Sequence, residues 1–253
     1  MTPLLESESE YYGADDIVAR YAAADYLERC EERLLERVRG SLGEWRMLDL
    51  GVGGGRTTVH FAPLARYYVG ADFSREMVEA CRRRFAAEEW PHARFEVADA
   101  RELPYEDASF DFVFFSYNGL DCVGEEDERA QALREIRRVL RPGGLFAHSA
   151  HNIGRLRKPF SLRHAGLQAL KWRLLNPRLR VGSPPVGAKV RDERHGLRVV
   201  SVYYVRADAE LDRLAHAGFG EVEVFRPDGE PLPADGALAG REEPWLFYVS
   251  RAA

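Results

Sequence analysis

The chain has 253 residues, of which 45% are hydrophobic and 30% charged, and its formal net charge is −5. That length allows one large domain with a substantial core, and the overall charge gives no reason to expect a nucleic-acid or membrane partner. No stretch approaches the ~20 apolar residues of a membrane helix. Met1–Glu10 is acidic rather than basic-then-apolar, which predicts a cytoplasmic location. Cys30, Cys81 and Cys122 are odd in number and widely spaced, so they read as reduced thiols with no metal bound.

Taken in order, Met1–Glu10 is expected to fray. From Asp15 to Arg39 apolar residues recur at helical spacing (Ile17, Tyr21, Ala24, Leu27, Leu34, Leu35, Val38) and predict one or two amphipathic helices, stopped by Gly40 and Gly43. Tyr11, Tyr12 and Tyr21 suit either a lid over a ligand or anchors of an N-terminal helix. Trp45–Leu50 reads as the first strand, and Thr57–Leu64 opens the first helix. Tyr67–Ala71 is the second strand, ended by Asp72, and Ser74 caps the helix that follows. Phe95–Ala98 is the third strand, ended by Asp99. Phe110–Ser116 is an almost unbroken apolar run, as expected of a strand buried on both faces of a parallel sheet. A helix over Asp127–Leu140 is terminated by Pro142-Gly143-Gly144, and Leu145–Ala150 is the fifth strand.

Asn152–Arg198 interrupts this alternation. It carries 12 Lys and Arg against two acids, a net +10 that leaves −15 for the rest of the chain. Within it, Leu162–Leu175 has the pattern of a basic amphipathic helix and Val181–Val190 that of a Pro/Gly loop. Alternation resumes at Val199, followed by a helix over Asp208–Ala217. Two late strands, Glu221–Phe225 and Trp245–Ser250, flank a Pro/Gly-rich connection.

Strand–helix alternation at these intervals predicts an α/β, doubly wound, Rossmann-like fold. The sheet is expected to be mostly parallel and seven-stranded, with helices on both faces. Four units follow: an N-terminal helical lid (1–40), a core (41–151), a basic insertion after strand 5 (152–198), and a C-terminal part that completes the sheet (199–253).

The residues with chemical potential lie at strand ends. Asp49-Leu50-Gly51-Val52-Gly53-Gly54-Gly55 couples an acid to a loop with glycine at four of five positions. Asp72, Asp99 and Ser116-Tyr117-Asn118 end the next three strands. Open α/β sheets bind ligands in the crevice at these carboxyl ends. A carboxylate 17 residues after Gly55 suits a pair of ribose hydroxyls, because both its oxygens accept hydrogen bonds. A dinucleotide site would need its third glycine at position 56, which is arginine.

Over Trp45–Ala150 the chain resembles the class I S-adenosylmethionine-dependent methyltransferases. The resemblance is carried by Asp49–Gly55, by Gly70-Ala71-Asp72-Phe73-Ser74 with Met77, and by Ala98-Asp99-Ala100. Leu103-Pro104-Tyr105, Ser109-Phe110-Asp111 and Arg138-Val139-Leu140-Arg141-Pro142-Gly143-Gly144 complete it. It implies S-adenosylmethionine as cofactor and S-adenosylhomocysteine as product. The backbone of Gly51, Gly53 and Gly55, with Asp49 nearby, would cradle the methionine part. Asp72 would hold the ribose, Phe73 and Met77 would flank the adenine, and Asp99 with the Ala100 N–H would read its polar edge. Ser116 would lie close to the reacting sulfonium.

Methyl transfer depends mainly on positioning, and a base is needed only where the acceptor loses a proton. His151, at the end of the fifth strand, reads as that base or as a strand-end cap, and Tyr117 is a second candidate for a catalytic role. Asn118, Asp121, Asn152, Tyr203 and Tyr204 are candidate acceptor contacts, whereas His148 reads as structural. No Asn-Pro-Pro-Tyr-type sequence follows the fourth strand, which favours a small-molecule O-, N- or C-methyltransferase. The +10 insertion suits an anionic acceptor, then a membrane surface, then RNA, in that order, or a solvated cap paired with the acidic remainder. A methyltransferase-like binding module without catalysis is the reading from another class.

Overall fold

The computed structural model describes residues 7–157, 174–177, 179, 185–194, 198–233 and 236–253. Three helices come first: α1 (Glu8–Gly13), α2 (Asp15–Ala22) and α3 (Arg29–Leu42). Residues 8–10, expected to fray, are held instead by a capping box between Ser7 and Glu10. Then β1 (Arg46–Leu50), α4 (Thr58–Phe61), β2 (Tyr67–Asp72), α5 (Arg75–Arg84), β3 (Ala93–Val97), β4 (Phe110–Phe115), α6 (Glu126–Val139) and β5 (Leu140–His151) build the core.

The main sheet has eight strands rather than seven, in the order β3-β2-β1-β4-β5-β10-β8-β9. β8 (Phe219–Phe225) and β10 (Trp245–Ala252) are the late strands, and the extra strand is the two-residue β9 (Pro231–Leu232). β1–β5 pair in parallel, and β10 runs antiparallel to both β5 and β8. The period-two alternation of β4 explains the layering. Phe112 and Phe114 point into a cluster with Leu34, Val38, Phe61, Val78 and Cys81. Val113 and Phe115 point to the other face, among Leu133, Ile136 and, from α7 (Ala207–His216), Leu214.

Three expectations are corrected. β5 begins at Leu140, so Arg141-Pro142-Gly143-Gly144 lies within the strand, next to an irregularity in its pairing with β4 between Phe110 and Phe112. Residues 187–190 are not loop: they start β6 (Gly187–Arg194), which pairs antiparallel with β7 (Arg198–Val205). β7 therefore does not complete the main sheet but forms a separate two-stranded ribbon, tied to the core by a bridge between Asn152 and Val205. Of the basic helix expected over 162–175, only Leu174 and Leu175 fall within the described residues, and both are helical.

The ribbon and the N-terminal helices cover the same side of the core. Tyr11, Ile17 and Val18 pack with Val190, Val200, Val202 and Tyr204, and with Met77 and Ala80 of α5. Burial of that apolar surface fixes α1 and α2 above the carboxyl ends of β1 and β2.

Candidate active site

A cavity of about 470 Å³ opens there, lined by residues at and just beyond the ends of β1, β2, β3 and β4 and by the N-terminal helices. Gly51 and Gly53 form its floor. Asp72, Phe73 and Met77 line one wall and Asp99, Ala100 and Arg101 the next, while Phe115, Ser116, Tyr117 and Gly119 stand where β4 ends. Ser7, Ser9, Tyr12 and Tyr21 form the roof.

Glycine in the floor answers to close packing. A Cβ on Gly51 would lie 2.6 Å from the Phe115 ring, and one on Gly54 would lie 2.2 Å from the Ala22 backbone nitrogen. The end of α2 thus rests on the loop, with the Tyr21 ring over Gly53. Gly55 turns away from the cavity towards Phe85.

Asp72 is buried at the end of β2. Its Oδ2 accepts the Gly53 N–H at 2.8 Å and its Oδ1 the Ser74 N–H at 2.9 Å. Each oxygen keeps a lone pair for a further donor. Burial pushes its carboxyl up to about 6, although the backbone hydrogen bonds pull it down. Asp49 lies beneath the floor rather than in it. Its Oδ2 accepts from Thr57 Oγ1 at 2.5 Å and from the Tyr68 hydroxyl at 2.6 Å, while its buried Oδ1 has no hydrogen-bond partner among the described residues. Asp99 is engaged by Arg101, whose guanidinium donates to both carboxylate oxygens at 2.6–3.0 Å and also pairs with Glu128. The hydrogen bonds of Arg101 hold Asp99 below the usual carboxylate range.

The lid and anchor readings of the N-terminal tyrosines are divided among them. Tyr11 is fully buried in the packing core. Tyr12 and Tyr21 line the cavity, and Tyr12 spans it, edge-on to Phe73 with centroids 5.9 Å apart and with its hydroxyl 3.2 Å from Cys122 Sγ.

At the end of β4 the chain takes two successive left-handed residues, Tyr117 (φ 52°) and Asn118 (φ 59°). Such strain concentrates at functional sites. The turn sends Tyr117 into the cavity lining, and the Asn118 N–H donates to Ser149 Oγ at 2.7 Å. Behind the turn lies His151. Its backbone N–H donates to Asp121 Oδ2 at 2.6 Å, its Nδ1 lies 2.8 Å from the same oxygen, and its ring stacks on Tyr204 at 4.6 Å. The His151 side chain is 12% exposed, and it does not line the cavity.

The expected acceptor contacts divide accordingly. Asp121 is fully buried and holds His151. Asn152 is a local cap, donating to the Arg241 carbonyl and accepting from the Gly154 N–H. Tyr203 donates to Glu126 at 2.6 Å within a network on α6 and α7. His148 is fully buried against Glu210 at 3.0 Å, a structural position. Several cavity neighbours carried no sequence signal of their own. Tyr26, Arg56 and Cys122 meet the site only through the fold, although Arg101 stands two residues from Asp99.

A parallel sheet extended by an antiparallel β10, with a cavity over the carboxyl ends of β1, β2 and β4, defines a Rossmann-like α/β protein built to hold a nucleoside-bearing ligand. Residues 47–144 match the family model described as a methyltransferase domain. This part of the chain is therefore similar to methyltransferase domains, in line with the resemblance read from its motifs. Among curated proteins, it is 38% identical over 127 residues to 27-O-demethylrifamycin SV methyltransferase of Amycolatopsis mediterranei (strain S699), covering 48% of this chain and 45% of that protein. The chain thus spans about half the length of the relative it matches. In fold it is similar to the CcbJ methyltransferase of Streptomyces caelestis, with a TM-score of 0.64 at 21% identity, covering 96% of this chain and 98% of that one. It is also similar to the glycopeptide N-methyltransferase MtfA, solved with S-adenosylhomocysteine, with a TM-score of 0.60 at 18% identity over 95% and 99% of the two chains.

Proposed function

We propose that this protein transfers a methyl group from S-adenosylmethionine to an O, N or C atom of a small molecule, with His151 taking the acceptor's proton where one must leave. The observation that carries the reading is the single cavity that brings the Gly51–Gly53 floor, Asp72, Asp99 and Ser116 together. Bound S-adenosylmethionine supplies an electrophilic methyl group on a sulfonium.

The residues present fit that cofactor. Asp72 offers an unused lone pair on each oxygen to ribose hydroxyls. Phe73, partly exposed, and Met77 present apolar surface to a flat base. Asp99, already oriented by Arg101, and the Ala100 backbone stand at its edge. Gly51 and Gly53 leave room for the aliphatic part. Tyr12 and Tyr21 close the roof and exclude water, so the end of the cavity at Ser116 and Tyr117 is where an acceptor would meet the methyl group.

His151 is supported as proton acceptor by Asp121. A carboxylate that accepts the Nδ1 hydrogen leaves the lone pair of a neutral imidazole on Nε2, which faces the Asn118 amide at 3.5 Å behind the cavity wall, so an acceptor reaches it by displacing that amide. Tyr117 is read as a wall of the acceptor end. Of the basic insertion, Lys189 is a described residue that lines the cavity. Its Nζ lies 3.6 Å from Glu125 Oε1.

The test incubates the protein with methyl-labelled S-adenosylmethionine and a panel of phenols, amines and enolisable ketones, and reads S-adenosylhomocysteine release. Turnover with at least one acceptor, lowered about a hundredfold or more in His151→Gln, is expected. Cofactor binding without turnover across the panel would favour a binding module.

A further inference from the structure

Beneath His151 lies a buried charge that the proposed reaction does not by itself require. Arg129, in the first turn of α6, is a very large side chain to be 1% exposed. Its Nη1 donates to the Leu120 carbonyl at 2.5 Å and to Asp121 Oδ1 at 3.2 Å. Its Nη2 lies 3.9 Å from Glu210 Oε2, and the guanidinium stands over the Tyr203 ring at 4.6 Å.

The two oxygens of Asp121 are therefore divided. Oδ1 faces the arginine, and Oδ2 accepts the backbone N–H of His151 and faces its Nδ1 at 2.8 Å. A fully buried carboxylate stays ionised only beside a positive charge or several donors. Glu210 has three ion-pair contacts, to His148, Arg129 and Arg213. For Asp121, the described ion pairs are Arg129 and His151 itself. Without Arg129, Asp121 Oδ1 would lose the guanidinium that holds it, and the carboxylate would be free to turn about its Cβ–Cγ bond. A carboxylate that no longer presents a fixed oxygen to Nδ1 no longer dictates which imidazole nitrogen carries the hydrogen.

The geometry points to Arg129 as a positioning residue that acts through Asp121 to fix His151 in the tautomer with hydrogen on Nδ1 and the lone pair on Nε2. The inference rests on the reading of His151 as proton acceptor, but its test does not. A residue that merely fills space under Tyr203 would leave the tautomer unchanged when replaced by another of similar volume.

The experiment uses the full chain, free of cofactor and acceptor, with histidine labelled in the heavy nitrogen isotope. Long-range proton–nitrogen correlation spectra are recorded at about pH 8, above the ordinary histidine range. The His151 signals are identified by their loss in His151→Gln. The wild-type protein is expected to show a protonated Nδ1 and an unprotonated Nε2. In Arg129→Met the share of the opposite tautomer is expected to rise about fivefold or more, with His60, bound to the Asp25 carbonyl away from this network, unaltered. A protonated Nε2 in the wild type, or an unchanged His151 pattern in folded Arg129→Met, overturns the inference. Should Arg129→Met fail to fold, Arg129→Gln takes its place, with the same rise of the opposite tautomer expected and the same unchanged pattern overturning the inference. A correct tautomer in a protein that transfers no methyl group would count against the transferase reading and leave the role of Arg129 standing.

Discussion

Arg56 and Glu31 form a buried, two-pronged ion pair, with Nη1–Oε2 at 2.6 Å and Nη2–Oε1 at 2.7 Å. The arginine directly follows the glycine loop, and the glutamate lies in the first turn of α3. The same guanidinium donates to the Tyr26 carbonyl at 2.9 Å and to Ser116 Oγ at 3.2 Å, and it faces the rings of Tyr26 and Tyr117 at 5.3 and 5.0 Å. One cation thus joins the N-terminal helices, the cofactor loop and the end of β4. Removing one partner leaves an uncompensated buried charge, which costs about 3–5 kcal/mol. Glu31→Ala is expected to lower the melting temperature by about 10 °C, measured by circular dichroism, and the double change Glu31→Gln with Arg56→Met by less. A melting temperature unchanged in Glu31→Ala would show the pair to be dispensable.

The loop tolerates no side chain where α2 rests on it. In Gly54→Ala the new Cβ would meet backbone atoms at 2.2–2.5 Å, which cannot move aside as a flexible side chain could. The end of α2 must lift, and Tyr21 with it. We expect affinity for S-adenosylhomocysteine, measured calorimetrically, to fall about tenfold or more. Gly40→Ala is the control: nothing lies within 4 Å of the added atom, and alanine in the interior of α3 should stabilise the protein by up to about 1 kcal/mol.

Asp49 is expected to make the stability of the folded protein depend on pH. Burial pushes its carboxyl up to about 6, while hydrogen bonds from Thr57 and Tyr68 pull it down. Since the unfolded value is about 3.9, the group supports folding when protonated. Its contribution is full below about pH 4 and is lost as the pH rises through about 6. Asp49→Asn keeps an acceptor for Thr57 and Tyr68 without the buried charge. Thermal melts should show the variant gaining on the wild type between about pH 4 and pH 7, by an amount on the order of 3 kcal/mol. A constant difference across that range would mean that Asp49 keeps an ordinary carboxylate pKa.

The parallel core was legible because its elements carry their own periodicity. The apolar run at Phe110 and the helix ending near Val139 lie within a residue or two of where alternation and helical spacing place them. What long-range pairing decides was not legible. The segment Arg141-Pro142-Gly143-Gly144 has the composition of a helix stop, but partners on β4 draw the chain into β5 from Leu140 onward. Gly187–Val190 looks like loop until β7 pairs with it. In the site, acids at strand ends were visible as such. That Asp121 is buried on the His151 ring, 30 residues further along the chain, depends on how the turn after β4 folds against β5. Arg129 gave no signal, since a charged residue early in a helix reads as solvated surface.

If the cavity over β1, β2 and β4 holds S-adenosylmethionine through Asp72, calorimetric titration of S-adenosylhomocysteine into the wild type and Asp72→Ala will show it. Two hydrogen bonds to a charged acceptor are worth about 3 kcal/mol or more together. One-to-one binding by the wild type and a loss of about a hundredfold or more in the variant is the predicted result. Absence of binding by the wild type, or equal affinity in Asp72→Ala, would contradict it.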